Sequence, residues 1–219
     1  MKDHGTFTTL AQVEEFLTSH QISTGRPTDI QIGDYFTLGS YKVYIAGIDT
    51  EYNKGSIEVT THHITCIANF GNSKMNSTNT TSGGYGGATV MQSFLDGKAT
   101  ELRNICGSHL LNRKVFLSNG FNNGQTSGCT WYNKYLTLMS ETQVYGSPQW
   151  ATNGFDTGDG YEKLPIFNEL TPLQIFGRAY IWLRGLNSAS HFCLVDMSGL
   201  ANIGGASASF PAVALFCLG

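Results

Sequence analysis

Two adjacent histidines, His62 and His63, are residues whose type could support metal binding. Imidazole nitrogens are common zinc ligands, but a zinc site needs several ligands that face one point. Residues 57–67 have the composition of a β-strand, and neighbouring residues of a strand point to opposite faces. Because both rings cannot face one ion without a bulge, we expect no metal site at this pair.

A second candidate for cation binding is the run Asp156-Thr157-Gly158-Asp159-Gly160. Calcium loops of the EF-hand type supply further carboxylates and end in a bidentate glutamate, and this run lacks both. We therefore predict neither a bound metal nor another cofactor.

Five cysteines could act as nucleophiles or cross-links: Cys66, Cys106, Cys129, Cys193 and Cys217. Their odd number, their wide spacing and the lack of a Cys-x-x-Cys pair argue against a disulfide framework and a zinc knuckle. Cys193 and Cys217 have apolar neighbours, which is typical of buried, unreactive thiols. The chain also lacks Gly-x-Ser-x-Gly, His-Glu-x-x-His and a spaced pair of carboxylates, so we predict that it is not an enzyme.

The overall composition narrows the possible classes of partner. Only 13% of the 219 residues are charged, the formal net charge is −3, and glycine occurs 26 times. Such a chain has no basic field for nucleic acid or for an anionic membrane surface. No apolar run reaches the roughly 18 residues that a spanning helix needs, and the N-terminus has no hydrophobic signal core. These features predict a protein that does not insert into membranes and does not leave the cytoplasm by the usual secretion route.

The N-terminal part of the chain contains a helix and a hairpin. Residues 8–20 place apolar side chains at helical spacing after Thr9, which forms a possible capping box with Gln12. This helix and a linker, residues 1–29, are expected to pack on the rest of the domain. Residues 35–48 predict a β-hairpin around a Gly39-Ser40 turn.

The middle of the chain predicts short elements separated by long loops. Residues 69–87 are nearly all Asn, Ser, Thr and Gly and predict a loop. Residues 90–95 and 100–106 predict two short helices, and residues 115–117 and 135–139 predict irregular strands.

The segment 180–219 organises the domain. Residues 180–183 and 213–218 are apolar and predict two neighbouring sheet strands. Between them, small residues alternate with large residues of mixed chemistry, which is the composition of a contact surface lying close to a framework. Because a freely variable residue cannot also hold a core, we expect the large residues to face solvent from loops.

This segment resembles the variable region of the C-type-lectin-fold target proteins of diversity-generating retroelements. The resemblance is carried by Trp182-Leu183-Arg184, Ser188-Ala189-Ser190, Phe192-Cys193, Ala206-Ser207 and Phe216-Cys217-Leu218-Gly219. It extends upstream to about residue 30 through Gly33-Asp34-Tyr35-Phe36, Met139-Ser140-Glu141 and Lys163-Leu164-Pro165. The chain departs from the family at Gly185-Leu186 and Ala214-Leu215, where relatives commonly have Ser-Pro and Arg-Pro.

In that family a reverse transcriptase rewrites template adenines, so Asn-type codons become hypervariable. Such codons reach most residue types but not Trp, Lys, Glu, Gln or Met. Residues 185–219 contain none of the first four, and only Met197 lies outside the reachable set.

The resemblance implies an α+β domain over residues 30–219, C-type-lectin-like and of the formylglycine-generating-enzyme-like subtype. It has small antiparallel sheets, two or three short helices and long loops. It implies a receptor-binding protein of a phage tail or bacterial surface, made in a bacterial cytoplasm and able to form a homo-oligomer within such an assembly, that recognises a cell-surface protein or glycan of a bacterial host or neighbour. The implied ligand-contacting residues, within a variable region of about 180–219, are Leu186, Asn187, His191, Leu194, Asp196, Met197, Leu200, Asn202, Ile203, Gly204, Gly205, Ser207, Ser209 and Phe210.

Two alternatives remain open at this point. One is an enzyme of the formylglycine-generating type, which would need an exposed and activated thiol at Cys193 or Cys217. The other is a structural tail or adhesin domain without a diversified site. The chain lacks the Glu-Pro-Asn and Gln-Pro-Asp triplets with which animal C-type lectins bind calcium and sugar.

The missing triplets and the incomplete cluster around Asp156 and Asp159 predict that the fold does not depend on calcium. A chelator such as EDTA should leave the melting temperature unchanged, and adding calcium back should not raise it. A fall of several degrees in the presence of the chelator would contradict this prediction.

Overall fold

The chain has a mixed α+β architecture built from several small sheets and few helices. It is described by a computed structural model that covers residues 1–54, 59–152 and 162–219. In this part of the chain no helix combines the length and the apolar character needed to cross a bilayer.

The largest sheet has six strands, of which the first two are parallel and the others antiparallel to their neighbours. In spatial order they are β1 (Asp3–Phe7), β2 (Tyr35–Leu38), β3 (Tyr41–Ile48), β4 (Ile64–Ser73), β13 (Phe210–Leu218) and β9 (Thr137–Leu138). The predicted hairpin is confirmed, because β2 and β3 pair around the turn at Gly39 and Ser40.

The remaining named strands form three smaller antiparallel sheets. The three-stranded sheet contains β10 (Ile181–Leu186), β11 (His191–Val195) and β12 (Ala201–Gly205). The two-stranded sheets are β5 (Arg113–Ser118) with β8 (Cys129–Lys134), and β6 (Phe121–Asn122) with β7 (Gln125–Thr126).

The helices lie between these strands in the sequence. They are α1 (Leu10–Ser19), α2 (Thr89–Cys106), α3 (Glu141–Tyr145), α4 (Ile166–Glu169) and α5 (Pro172–Phe176). The capping box of α1 is confirmed, since the Thr9 hydroxyl accepts a hydrogen bond from the Gln12 amide and the Gln12 side chain accepts one from the Thr9 amide. The apolar face of α1 is buried in the domain core.

Two apolar cores lie on opposite sides of the central strands. Along β13, Ala214 and Phe216 belong to one core and Val213 and Leu215 to the other. The same alternation runs along β10 and β11, because successive side chains of a strand point to opposite faces. The apolar runs in the sequence are continuous because both faces of these strands are buried.

Trp182 ties the smaller sheet to the larger one. Its ring is fully buried, as the sequence predicts, and its indole N–H donates a hydrogen bond to the Ser73 carbonyl at 2.9 Å. Ser73 is the last residue of β4, so the bond joins β10 to the end of the central β4–β13 pair.

Two predictions for the middle of the chain differ from the structure. The sequence predicts a strand at residues 57–67, of which residues 57 and 58 lie outside the described part of the chain; β4 runs from Ile64 to Ser73, into the polar run predicted as a loop. The apolar partner β13 pairs with β4 along this whole length, so backbone bonding overrides side-chain composition. The two predicted helices are one, because Gly97 lies on an exposed side of α2 while Met91, Leu95 and Leu102 anchor the other side.

The prediction that residues 180–183 and 213–218 are neighbouring strands is confirmed only in part. Strands β10 and β13 pack against each other, with Leu183 and Leu215 in one core, but they belong to different sheets. The sequence analysis also missed β1, a strand within the predicted N-terminal linker, and underestimated the helices, of which the described residues form five.

The buried position of Trp182 predicts a large effect of its truncation. Trp182→Ala should lower the free energy of unfolding by about 3–5 kcal/mol, since it removes a filled core volume and the bond to Ser73. The matched control Leu200→Ala, at a residue that is 65% exposed, should stay within ~0.5 kcal/mol. Equal losses in denaturant titrations of the two variants would contradict the assignment of Trp182 as a core anchor.

Candidate functional site

The predicted contact residues lie mainly on β11, on β12 and on the turns beside them. The prediction that they stand on loops is therefore wrong for those within the two strands. Strand β12 is an edge of its sheet and pairs only with β11 among the described strands, with Cys193 opposite Ile203 and Val195 opposite Ala201.

Burial divides the predicted residues into three groups. Met197, Leu200 and Ser209 are exposed. The partly buried ones are Asn187, His191, Asp196, Asn202, Ile203, Gly205, Ser207 and Phe210.

The expectation of solvent exposure is wrong for Leu186, Leu194 and Gly204, which are buried. Leu186 and Leu194 belong to the same core as Trp182, because strand alternation turns them inward. A Cβ atom at position 204 would lie 2.7 Å from Leu194 Cδ2 and 3.0 Å from Trp182 Cη2. A side chain at position 204 would force these core neighbours to shift, so the position is more constrained than the exposed ones.

Phe210, one of the implied ligand-contacting residues, is partly buried and packs against the core. Its ring centroid lies 5.2 Å from that of Tyr180 and 5.0 Å from that of Trp182. Such tilted aromatic pairs stabilise the fold. Phe210 therefore supports the surface from below more than it projects from it.

The turn between β11 and β12 is held by Asp196. One carboxylate oxygen accepts hydrogen bonds from the amides of Ser198 and Leu200, at 2.7 and 3.0 Å. The Asp196 amide donates to the Leu200 carbonyl at 2.8 Å, and Gly199 adopts φ +82°, which favours glycine. The turn thereby holds Met197 and Leu200 outward without a ligand.

The outward edge of β12 is partly closed by hydrogen bonds. The Ala201 carbonyl accepts one from the Trp150 indole at 3.1 Å, and the Ile203 amide donates to the Asn202 side chain at 2.8 Å. The Gly205 carbonyl accepts one from the Ala208 amide. These bonds occupy three of the backbone groups that an added strand would use.

Trp150 is a surface residue that the sequence analysis missed. Its side chain is 50% exposed, and it reaches the residue that follows Leu200 through the indole bond to Ala201. The only sequence signal was an aromatic residue in the polar, turn-forming context Ser147-Pro148-Gln149. We call Trp150, Met197 and Leu200 the apolar patch.

The other end of β12 meets the polar loop that follows β4. A Cβ atom on Gly205 would lie 2.7 Å from Oδ1 of the exposed Asn79. The loop is attached to the C-terminal segment, because Thr81 donates to the carbonyls of Ser188 and Ala189 at 2.8 and 2.9 Å. Asn79 therefore extends the surface with an uncharged amide.

The histidine pair has a structural arrangement around one carboxylate. The His62 ring lies 2.7 Å from one Asp49 oxygen, and the His63 amide donates to the other at 2.8 Å. Burial lowers the pKa of the His63 imidazole, which favours its neutral form. The described residues contain no group of three His, Cys, Asp or Glu side chains placed to hold a metal ion. The cluster from Asp156 to Gly160 lies outside the described residues.

The thiols of Cys193 and Cys217 are both in the core, as the sequence predicts. Burial raises the pKa of the Cys217 thiol well above its usual range, so the reactive thiolate is scarce at neutral pH.

The hydrogen bonds of Asp196 predict that it is not freely replaceable, although it was placed among the variable residues. Asp196→Ala should lower the free energy of unfolding by about 1 kcal/mol or more, because two turn amides lose their acceptor. Asp196→Asn keeps an acceptor oxygen and should lose less, while Met197→Ala should remain within ~0.5 kcal/mol. Denaturant titrations compare the three, and an Asp196→Ala protein as stable as Met197→Ala would refute this assignment.

Taken together, the surface combines an apolar patch with amide and hydroxyl groups on a pre-formed turn and strand. It can bury apolar area and exchange hydrogen bonds with a partner. Comparison of the chain with models of protein families, with curated proteins and with solved structures finds no match.

Proposed function

We propose that the chain is a ligand-binding protein whose apolar patch and edge strand β12 recognise a cell-surface protein or glycan of a bacterial host or neighbour. The observation that carries this proposal is the exposure of Trp150, Met197 and Leu200 at 50%, 48% and 65%. Of the five strongly exposed large apolar residues in the described chain, Met197 and Leu200 lie on the turn between β11 and β12, and Trp150 is bonded to Ala201 beside that turn, while the others are Met1 and Leu10. Clustered exposed apolar side chains are typical of binding surfaces.

The rigidity of the surface supports the same function. Met197 and Leu200 stand on a turn held by Asp196, and Trp150 is bonded to β12. A pre-formed surface loses less conformational entropy on binding than a flexible one, so more of the contact energy remains as affinity.

In the same proposal the fold is C-type-lectin-like and the C-terminal surface is diversified by a retroelement, on a phage tail or a bacterial surface. The core limits where diversification can occur. Met197, Leu200 and Ser209 can change without disturbing packing, and Asn202 and Ile203 with more constraint. Gly204 and Leu194 belong to the framework.

The enzymatic alternative has less support from the geometry. A formylglycine-generating type of reaction needs an accessible thiol, whereas Cys193 and Cys217 are fully buried. The remaining alternative, an adhesin without diversification, shares the apolar patch. It differs in lacking a near-copy of the C-terminal codons beside a reverse-transcriptase gene.

Binding to intact bacterial cells tests the proposed function. The labelled protein should bind some strains of a panel, and Trp150→Ala or the double variant Met197→Ser/Leu200→Ser should weaken binding at least about tenfold, the effect of about 1.4 kcal/mol. Leu10→Ser is the matched control, because Leu10 is also exposed but lies on α1. It should bind like the unmodified protein.

Treating the cells separately with protease and with periodate distinguishes a protein receptor from a glycan. Equal binding by the patch variants and the Leu10 control would refute the assignment of this surface. So would the absence of binding to every strain in a panel that includes the source community.

A further inference from the structure

Glu141 carries a carboxylate with an unusual set of partners. Its side chain is fully buried at the start of α3. One oxygen accepts hydrogen bonds from the backbone amides of Gln149, Trp150 and Ala151 at 2.8, 3.0 and 2.9 Å. The other accepts a second bond from the Trp150 amide at 3.1 Å.

These bonds serve the turn at residues 149–151 rather than the helix itself. The start of α3 is already closed by a capping box, in which the Ser140 hydroxyl accepts from the Gln143 amide and Gln143 accepts from the Ser140 amide. A buried carboxylate is destabilising unless hydrogen bonds satisfy it, and here three consecutive amides do so. The group is therefore placed to fix the backbone around Trp150.

Trp150 is held at three separate points. Its amide is bonded to Glu141, its carbonyl accepts a hydrogen bond from the Asn187 side chain at 3.0 Å, and its indole N–H donates to the Ala201 carbonyl at 3.1 Å. Half of the side chain nevertheless remains exposed. An aromatic residue with a fixed backbone, a fixed ring edge and an open face is a preorganised contact.

We propose that Glu141 is a positioning residue, which presents Trp150 as the constant aromatic contact of the binding surface. This inference rests on the proposed function. Trp150 lies outside the segment predicted to vary, whereas Met197 and Leu200 lie inside it. The surface then has two parts. One is Trp150, which is constant, and the other is the turn with Met197 and Leu200, whose side chains can change from one version of the protein to another.

The role of Glu141 is measurable without a ligand. In the unmodified protein the amides of residues 149–151 should exchange with deuterium slowly, because they are bonded to a buried acceptor. Glu141→Met keeps a similar length without a carboxylate, and exchange at these amides should accelerate at least about tenfold. Glu141→Gln keeps an acceptor oxygen and should restore most of the protection.

Tryptophan fluorescence tests whether Glu141 fixes the position of the Trp150 side chain. In a Trp131→Phe background the remaining tryptophans are Trp150 and the fully buried Trp182, so acrylamide quenching reads Trp150. Glu141→Met should raise the quenching constant about twofold as the ring loses its fixed position, and Glu141→Gln should stay near the parent value. The matched control is Glu15→Gln on the exposed side of α1, which should change neither measurement.

Three results would overturn the inference. The first is fast exchange at residues 149–151 in the unmodified protein, which needs no variant and decides the matter even if Glu141→Met does not fold. The second is unchanged exchange in a folded Glu141→Met protein, and the third is accelerated exchange without a change in quenching. Failure of the proposed function is separate, since it appears as undiminished cell binding by Trp150→Ala.

Discussion

The antiparallel pairing of β13 with β4 is the constraint on which the rest of the structure depends. It runs from Phe210 opposite Ser73 to Leu218 opposite Ile64, between two apolar cores. Backbone groups buried this deeply must be bonded, and the pairing satisfies them along the whole strand. Trp182 then docks the smaller sheet onto the end of this pair through its bond to Ser73. The position of the candidate surface follows from that contact.

The same packing decides which residues of the surface are free to contact a partner. Strand β11 is buried on both faces, so its large side chains belong to the cores. Strand β12 is an edge, and the close approach of Trp182 and Leu194 to Gly204 means that a side chain there would displace core neighbours. Side chains become less constrained by packing toward the turn between β11 and β12, where Met197 and Leu200 face solvent. A surface that tolerates change is therefore a narrow part of the C-terminal segment rather than all of it.

The candidate surface draws on two distant parts of the chain, residues 141–151 and 196–201. Glu141 holds the turn of Trp150, Trp150 bonds to Ala201, and Asp196 holds the turn beside it. Each link is a hydrogen bond to a backbone group, so it does not depend on the identity of an exposed neighbour. The backbone of the surface can therefore stay rigid while its exposed side chains change, as a surface with changing side chains requires.

The sequence alone determined the local features whose cause is local. The capping box at Thr9, the hairpin after Tyr35, the burial of Trp182 and the buried thiols follow from residue type and spacing, and all are confirmed. Only the tertiary structure decided that β10 and β13 belong to different sheets, because pairing depends on partners far away in the sequence. It also decided that Trp150 joins the turn at Leu200 and that Gly204 is framework. Both results depend on contacts between residues far apart in the sequence. The spacing of residue types along the chain does not show which of them will pack together in the two cores.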